Sequence, residues 1–415
     1  MSRSILLLIL LLFFSFFGAS NTILTKYIYL QKSKNSLFIH NWFFDIIMFF
    51  AEMMGIPLYY LTHFKKTKKE TKEDSEFDSF LNSSEEEKKV KVGLSKIKKI
   101  VYLSYPFIFD SIASSIGFIC LIIIPASINN LLKGVVIIII TFLISKFYLK
   151  NKHTFDQYIA FIISIIGFIL VFLSAFFGDK SNNSTDETNI GLNILGIFLV
   201  IISVILQSIG FCLEEYYMKT YSFHPFLFIG SEGLCGFIFN IILCIIFYFI
   251  KCGSNPSELL KNLCTKDEDD IWRVENALFA FEQVFDNKII LIYIIFLTIS
   301  ISAFNMFGIH INKFGGAMAR SLVENSRAFF VWLFFMLPWV NEDLRESFNW
   351  IRLFGLIFIF GSIIIYFGVL KFDEKKKNKM ELKALSNFDD FFGETPDESL
   401  DRMISMDAIS DYEKN

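Results

Sequence analysis

Residues 100–148 read IVYLSYPFIFDSIASSIGFICLIIIPASINNLLKGVVIIIITFLISKFY, two apolar arms joined at Pro125. A hydrocarbon core of about 30 Å takes roughly 20 helical residues to cross, and each arm has that length. Proline has no N–H and cannot continue a helix, so the chain turns at once and the arms run antiparallel as a hairpin. Asp110 and Lys133 sit inside the arms. An ionisable side chain at mid-membrane costs about 2.5–3.5 kcal/mol on insertion scales, so it faces a partner or a watery cavity rather than lipid. The reading is an all-α membrane bundle with a polar interior.

Working outward, stretches of similar length lie at about 41–62, 155–177, 190–217, 225–250, 289–311, 316–337 and 350–371. At the start, Arg3 before an apolar run ending Gly18-Ala19-Ser20 has the layout of a cleavable signal peptide. The apolar character resumes through Ile28, Tyr29 and Leu30, so the segment is read as a first spanning helix, which makes ten. Composition agrees, since 54% hydrophobic residues, 17% aromatics and 52 Phe among 415 residues exceed what one soluble core buries. The formal net charge of -3 averages over loops crowded with Lys and acidic residues and gives no ground for a nucleic-acid partner. His153, His224 and His310 are scattered without a partner at ligand spacing, so neither a metal nor another cofactor is expected.

Lys and Arg near helix ends are retained in the cytosol during insertion. Residues 63–100 are rich in Lys, Lys146, Lys150 and Lys152 follow the fourth span, and Lys375, Lys376 and Lys377 follow the tenth. These loops share one side, so both termini are expected in the cytosol. The loop after the fifth span is then lumenal and carries the sequons Asn182-Asn183-Ser184 and Asn183-Ser184-Thr185. The longest lumenal loop, 251–288, repeats Ile271, Val274, Leu278, Phe281 and Phe285 at helical spacing, an amphipathic helix on the membrane surface. Of six cysteines, only Cys252 and Cys264 share a hydrophilic loop and are candidates for a disulfide. Residues 372–415 are polar with no apolar period and are expected to be a disordered cytosolic tail.

Ten helices with both ends on one side imply two five-helix halves, 1–177 and 178–371, inserted in opposite senses. Faint matches run in the same order through both: Asn21-Thr22 with Gln207-Ser208, Glu52 with Glu232, and Lys133 with Arg327. Inverted repeats place a substrate site at their interface near mid-membrane. The candidate pathway is Asn21, Lys26, Glu52, Asp110, Lys133, Gln207, Glu232, Asn305, Glu324 and Arg327. Lys133 and Arg327 together suit a substrate bearing phosphate or carboxylate; equally, they neutralise Glu52, Glu232 or Glu324. Glu52 and Glu232 are candidates to carry protons or to hydrogen-bond neighbouring helices. Glu214 and Glu215 read as interfacial, Arg320 as close to a helix end, and Gly315-Gly316 as a hinge.

The chain resembles the drug/metabolite transporter superfamily and, within it, solute carrier family 35, subfamily F. The matching pieces are Asn21-Thr22 with Lys26, Asp110, Lys133-Gly134-Val135-Val136-Ile137-Ile138, Leu213-Glu214-Glu215, His224-Pro225, Glu232-Gly233-Leu234 with Gly236-Phe237, and Ser326-Arg327. Relatives carry Arg before the Gly of the fourth helix where this chain has Lys133, which gives up bidentate geometry. The resemblance implies two inverted five-helix repeats with alternating access, in an endomembrane such as the lysosome or a Golgi-related compartment, with mitochondrial association also implied. Better-known relatives exchange nucleotide sugars. The expected function is transport of a small anionic or polar metabolite, with a small molecule, the bilayer and a second copy as partners. The alternatives are a non-transporting receptor or scaffold, and an intramembrane enzyme using Asp45 and Asp110; no Gly-x-Gly-Asp, His-Glu-x-x-His or Gly-x-Ser-x-Gly motif supports the enzyme.

The topology has a direct check. Peptide N-glycosidase is expected to lower the apparent mass of the membrane-inserted protein. Replacing Asn182 and Asn183 by Gln together should abolish that shift, whereas Asn82→Gln should leave it intact.

Overall fold

A computed structural model describes residues 3–34, 36–67, 105–124, 126–151, 153–178, 190–221, 224–253, 264–266, 271–338, 340, 345 and 347–367. The Lys-rich stretch 68–100, both sequons and the 372–415 tail lie outside the described residues. The helices are α1 (Arg3–Tyr29), α2 (Asn41–Met53), α3 (Gly55–Thr67), α4 (Pro106–Ile123), α5 (Ala126–Phe147), α6 (Phe155–Gly178), α7 (Ile190–Tyr221), α8 (Pro225–Phe249), α9 (Ala277–Asp286), α10 (Lys288–Asn325), α11 (Arg327–Phe335) and α12 (Trp350–Tyr366). Five described segments are long and apolar enough to cross a membrane: Asn41–Leu61, Pro106–Ile123, Ile194–Thr220, Pro225–Phe249 and Lys288–Lys313. Phe155–Val171 and Trp350–Tyr366 are shorter apolar helices.

Apolar side chains cover the outside of the helices as well as filling much of the inside. On α8, Leu234, Ile238, Ile241, Ile242, Ile245, Ile246 and Phe249 form an exposed stripe at helical spacing, while Glu232 and Asn240 are buried. An apolar exterior with polar groups enclosed among the apolar core is what lipid demands, because oil solvates the outer face and only protein can answer the inner polar groups. Helix ends are closed by local chemistry. Pro106 and Pro225 occupy the first turns of α4 and α8. Asn276, Asn287 and Asn349 each accept a backbone N–H at the starts of α9, α10 and α12, at 2.9–3.1 Å.

Close crossings use glycine. A Cβ on Gly167 of α6 would stand 2.7 Å from the Gly355 carbonyl of α12, and one on Gly355 would stand 2.6 Å from the Gly167 carbonyl. Removing both side chains lets these backbones touch, the small-residue contact typical of membrane helices.

At one end of the bundle the hairpin β1 (Lys32–Ser33) and β2 (Ser36–Leu37) meets α9 and a sheet ordered β3 (Lys251–Gly253), β5 (Trp272–Arg273), β4 (Thr265–Lys266). Cys252 and Cys264 are disulfide-bonded across this sheet's connection, with Cα atoms 6.6 Å apart. Gln283 Nε2 donates to the Ser33 carbonyl (2.9 Å) and Ser36 Oγ (2.7 Å), and Lys34 pairs with Glu282 at 2.7 Å. Glu275 is fully buried and caps α2 from a distance, its Oε2 accepting the N–H groups of Trp42 (3.1 Å) and Phe43 (3.4 Å). His40 bridges Glu275 Oε1 (2.7 Å) and Gln283 Oε1 (2.9 Å).

Here the structure departs from the expected amphipathic helix. Ile271 to Asn276 are not helical, with Trp272 and Arg273 in a strand, so the helical period holds only from Ala277. The residues packed inward are Phe279, Ala280, Gln283 and Val284, whereas Leu278 is 68% and Phe285 72% exposed. Leu278 and Phe285 therefore face outward, and α9 is held to the bundle by buried Phe279, Ala280 and Val284 together with the polar contacts of Gln283 and Glu275.

Glycine at the α6–α12 crossing is testable. Gly355→Val is expected to cost about 1–3 kcal/mol by overpacking, seen as a lower melting temperature of the detergent-purified protein. At Gly361 an added Cβ meets nothing within 4 Å, so Gly361→Ala should melt like the unmodified chain.

Candidate functional site

The decisive local feature is a break in α10. Gly316 has φ +81°, a left-handed conformation that glycine adopts without Cβ strain, and the helix restarts at Ala317. The exposed N–H of Ala317 donates to Glu215 Oε2 at 2.7 Å. Glu215 Oε1 in turn accepts from Asn151 Nδ2 (2.9 Å) and Lys219 Nζ (2.5 Å). A Cβ on Gly316 would stand 3.0 Å from the Glu215 carboxylate, so conformation and space both call for glycine.

The segment that restarts there points Arg320, Glu324 and then Arg327 of α11 at a cavity of about 120 Å³. Arg320 is buried and ion-paired with buried Glu214 of α7, with its guanidinium 3.9 Å from the centre of the Phe211 ring. Asn312 donates to the same carboxylate at 3.0 Å. Glu214 and Glu215 are thus buried structural partners, not the interfacial groups their position in the sequence implied. Arg327 Nη2 lies 3.3 Å from Glu324 Oε1, which Gln207 also approaches at 3.4 Å.

Of the residues expected in a pathway, the cavity gathers Asn21 from α1, Asp110 from α4, Lys133 from α5, Gln207 from α7, Asn305 and Glu324 from α10, and Arg327. Lys26, Glu52 and Glu232 lie outside its lining. Lys26 Nζ donates to the Leu121 carbonyl at 2.7 Å, and Glu52 accepts from Asn305 Nδ2 at 2.6 Å. Both carboxylate oxygens of Glu232 are buried without a hydrogen-bond partner among the described residues. Asp45 receives the Ser115 hydroxyl and does not line the cavity with Asp110.

Sequence reasoning missed Asn129 and Ser203 in the lining, and Arg320 as a cavity residue. Asn129 was detectable, standing one turn before Lys133 and so on the same helix face. Both polar atoms of its buried side chain lack partners among the described residues, as does Asn21 Oδ1. Lys133 Nζ sits against Gly117 of α4, 2.8 Å from where a Cβ would be. Neither Lys133 nor Asp110 makes a hydrogen bond or ion pair with a described residue. Among the described residues no group of His, Cys, Asp and Glu is placed to hold a metal. The chemistry on offer is reversible polar binding, with two internal ion pairs and two unanswered charges.

Residues 125–252 match the SLC35F family model, described as Solute carrier family 35. Solute carrier family 35 member F6 of Homo sapiens is 27% identical over 268 residues, covering 64% of this chain and 66% of its own length. The Rattus norvegicus protein of the same name is 27% identical over 64% of this chain and 65% of its own. An uncharacterized Schizosaccharomyces pombe protein is 26% identical over 282 residues, 66% of this chain and 76% of its own. The match thus spans just under two thirds of these mammalian relatives.

Leaving Arg320 buried without its carboxylate should be severe. Glu214→Ala is expected to cost about 3–5 kcal/mol of stability, read by thermal melting in detergent. Glu214→Leu combined with Arg320→Leu should recover much of the loss, because no buried charge is then left unpaired.

Proposed function

We propose that this chain, by its likeness to solute carrier family 35, subfamily F, carries a small polar solute across an endomembrane by alternating access, binding it in the cavity between α1, α4, α5, α7, α10 and α11. The observation that carries this reading is the convergence of charges from separate helices on one cavity, beside a helix that breaks at Gly316. Such convergence marks a solute pathway, because an ionisable group at membrane depth is costly unless it meets a partner, water or solute.

The architecture proposed is ten spans in two inverted repeats, 1–177 and 178–371. The spans are α1; α2 with α3; α4; α5; α6; then α7; α8; α10 up to Gly315; the remainder of α10 with α11; and α12. Exchanging each span for its counterpart five places on maps the α1–α10 packing onto α7–α4, and leaves the α2–α8 and α6–α12 contacts unchanged. Sequence pairs that matched faintly also fall at equivalent places: Asn21 and Gln207 line the cavity, as do Lys133 and Arg327. Glu52 packs beside Gly233, the neighbour of Glu232.

In the same reading the end bearing β1–β5 and α9 is lumenal, which suits the Cys252–Cys264 disulfide, since such bonds persist in oxidising compartments. The opposite end, with Asn151, Lys219 and Gly316, is cytosolic. Arg320 and Glu214 then close the cytosolic side of the cavity, and their separation is the step that opens it.

The test is uptake into proteoliposomes of a panel of labelled anionic, cationic, zwitterionic and nucleotide-sugar solutes. Saturable uptake by the unmodified chain is expected, reduced about tenfold to a hundredfold in Lys133→Ala and Arg327→Ala, the range for losing one charged hydrogen bond. Uptake unaffected by both substitutions would remove the cavity from the pathway.

A further inference from the structure

Charge accounting in the cavity sharpens the class of solute. Three bases reach it: Lys133, Arg320 and Arg327. Arg320 is neutralised by Glu214 and Arg327 by Glu324. This leaves Lys133 as the one lining base and Asp110 as the one lining acid without a partner among the described residues. The positive surplus that would favour a plain anion is absent.

The two are held apart by α4. Lys133 Nζ rests on Gly117, and Asp110 stands nearly two turns earlier on the same face, roughly 10 Å along the axis. That gap is too long for a direct ion pair and is floored by Ala113 and Ser114. The amide of buried Asn129 stands one turn from Lys133, a further group without a hydrogen-bond partner among the described residues.

We propose that the cavity takes a zwitterion, a small solute whose cationic nitrogen meets Asp110 and whose acid group meets Lys133, with Asn129 as a further donor to the acid. With a hydrogen bond of about 2.9 Å at each end, the separation leaves roughly 4–5 Å between the solute's own charges. An ω-amino acid or a short peptide has that reach. The cavity volume agrees, about 120 Å³ against the roughly 300–1,000 Å³ of sites for drug-sized ligands. The proposal rests on the transport reading, and it predicts which member of a charge-matched set is carried.

The experiment compares saturable uptake by the full chain in proteoliposomes across three labelled classes: amino-acid zwitterions including γ-aminobutyrate and glycylglycine, monoanionic carboxylates and sulfonates, and monocationic amines. Zwitterions are expected to be carried, and an excess of the matched monoanion or monocation to compete about tenfold to a hundredfold more weakly. Asp110→Asn should weaken zwitterion uptake by a similar factor while leaving competition by the monoanion unchanged. Lys133→Gln should do the reverse, sparing the monocation. The competition series in the unmodified chain needs no variant, so a folding defect cannot mask the answer. Saturable uptake confined to monoanions, monocations or nucleotide sugars would overturn the zwitterion and leave the transport reading standing. No saturable uptake of any class would overturn both.

Discussion

A guanidinium that cannot reach water has to be answered from inside the bundle, and the pairing of Arg320 with Glu214 sets the positions of its surroundings. It joins α7 to the second part of α10, and Asn312 on the first part binds the same carboxylate. Both parts of the broken helix are thereby tied to one residue of α7. The neighbouring Glu215 does the complementary task, covering the Ala317 N–H that the break exposes. Two adjacent glutamates therefore make the break tolerable by answering, from within the protein, the backbone N–H that it frees. The cavity exists because of that tolerance: an unbroken α10 would keep Arg320 and Glu324 on a different course.

What the sequence reveals follows from which forces are local. Spanning helices are legible because apolarity over roughly 20 residues is a property of the segment itself, as in the arms around Pro125. Asp110 and Lys133 stand out because a charge within such an arm is costly wherever it points. Glu214 and Glu215 were misread for the opposite reason. They lie near the end of a long helix, where carboxylates ordinarily meet water, and only the third dimension brings Arg320 and the Gly316 break against them. Arg320 itself was ambiguous because the boundary of its helix was.

The loop before α10 shows a different limit. Period counting from Ile271 to Phe285 finds the apolar stripe but not its direction, and Leu278 and Phe285 prove to face outward. Phe279, Ala280 and Val284 pack inward instead, together with Glu275 and Gln283, two groups whose polarity argues for exposure until their partners are known. Those partners, His40, Ser33 and the start of α2, are more than two hundred residues earlier. No window of sequence reports a hydrogen bond of that separation.

Glu275 also bears on how the molecule can be taken apart. Its carboxylate is the cap that α2 does not supply for itself, since His40 makes no side-chain bond to the first turn. A chain cut between α6 and α7 would yield a leading fragment whose second helix begins with bare N–H groups, and a trailing fragment in which Glu275 Oε2 has lost both its donors. Neither piece is a self-sufficient module. Engineers seeking a site for a reporter, a split tag or an antibody epitope would find 271–283 a poor place to cut, because there the connecting loop acts as a keystone for the opposite half.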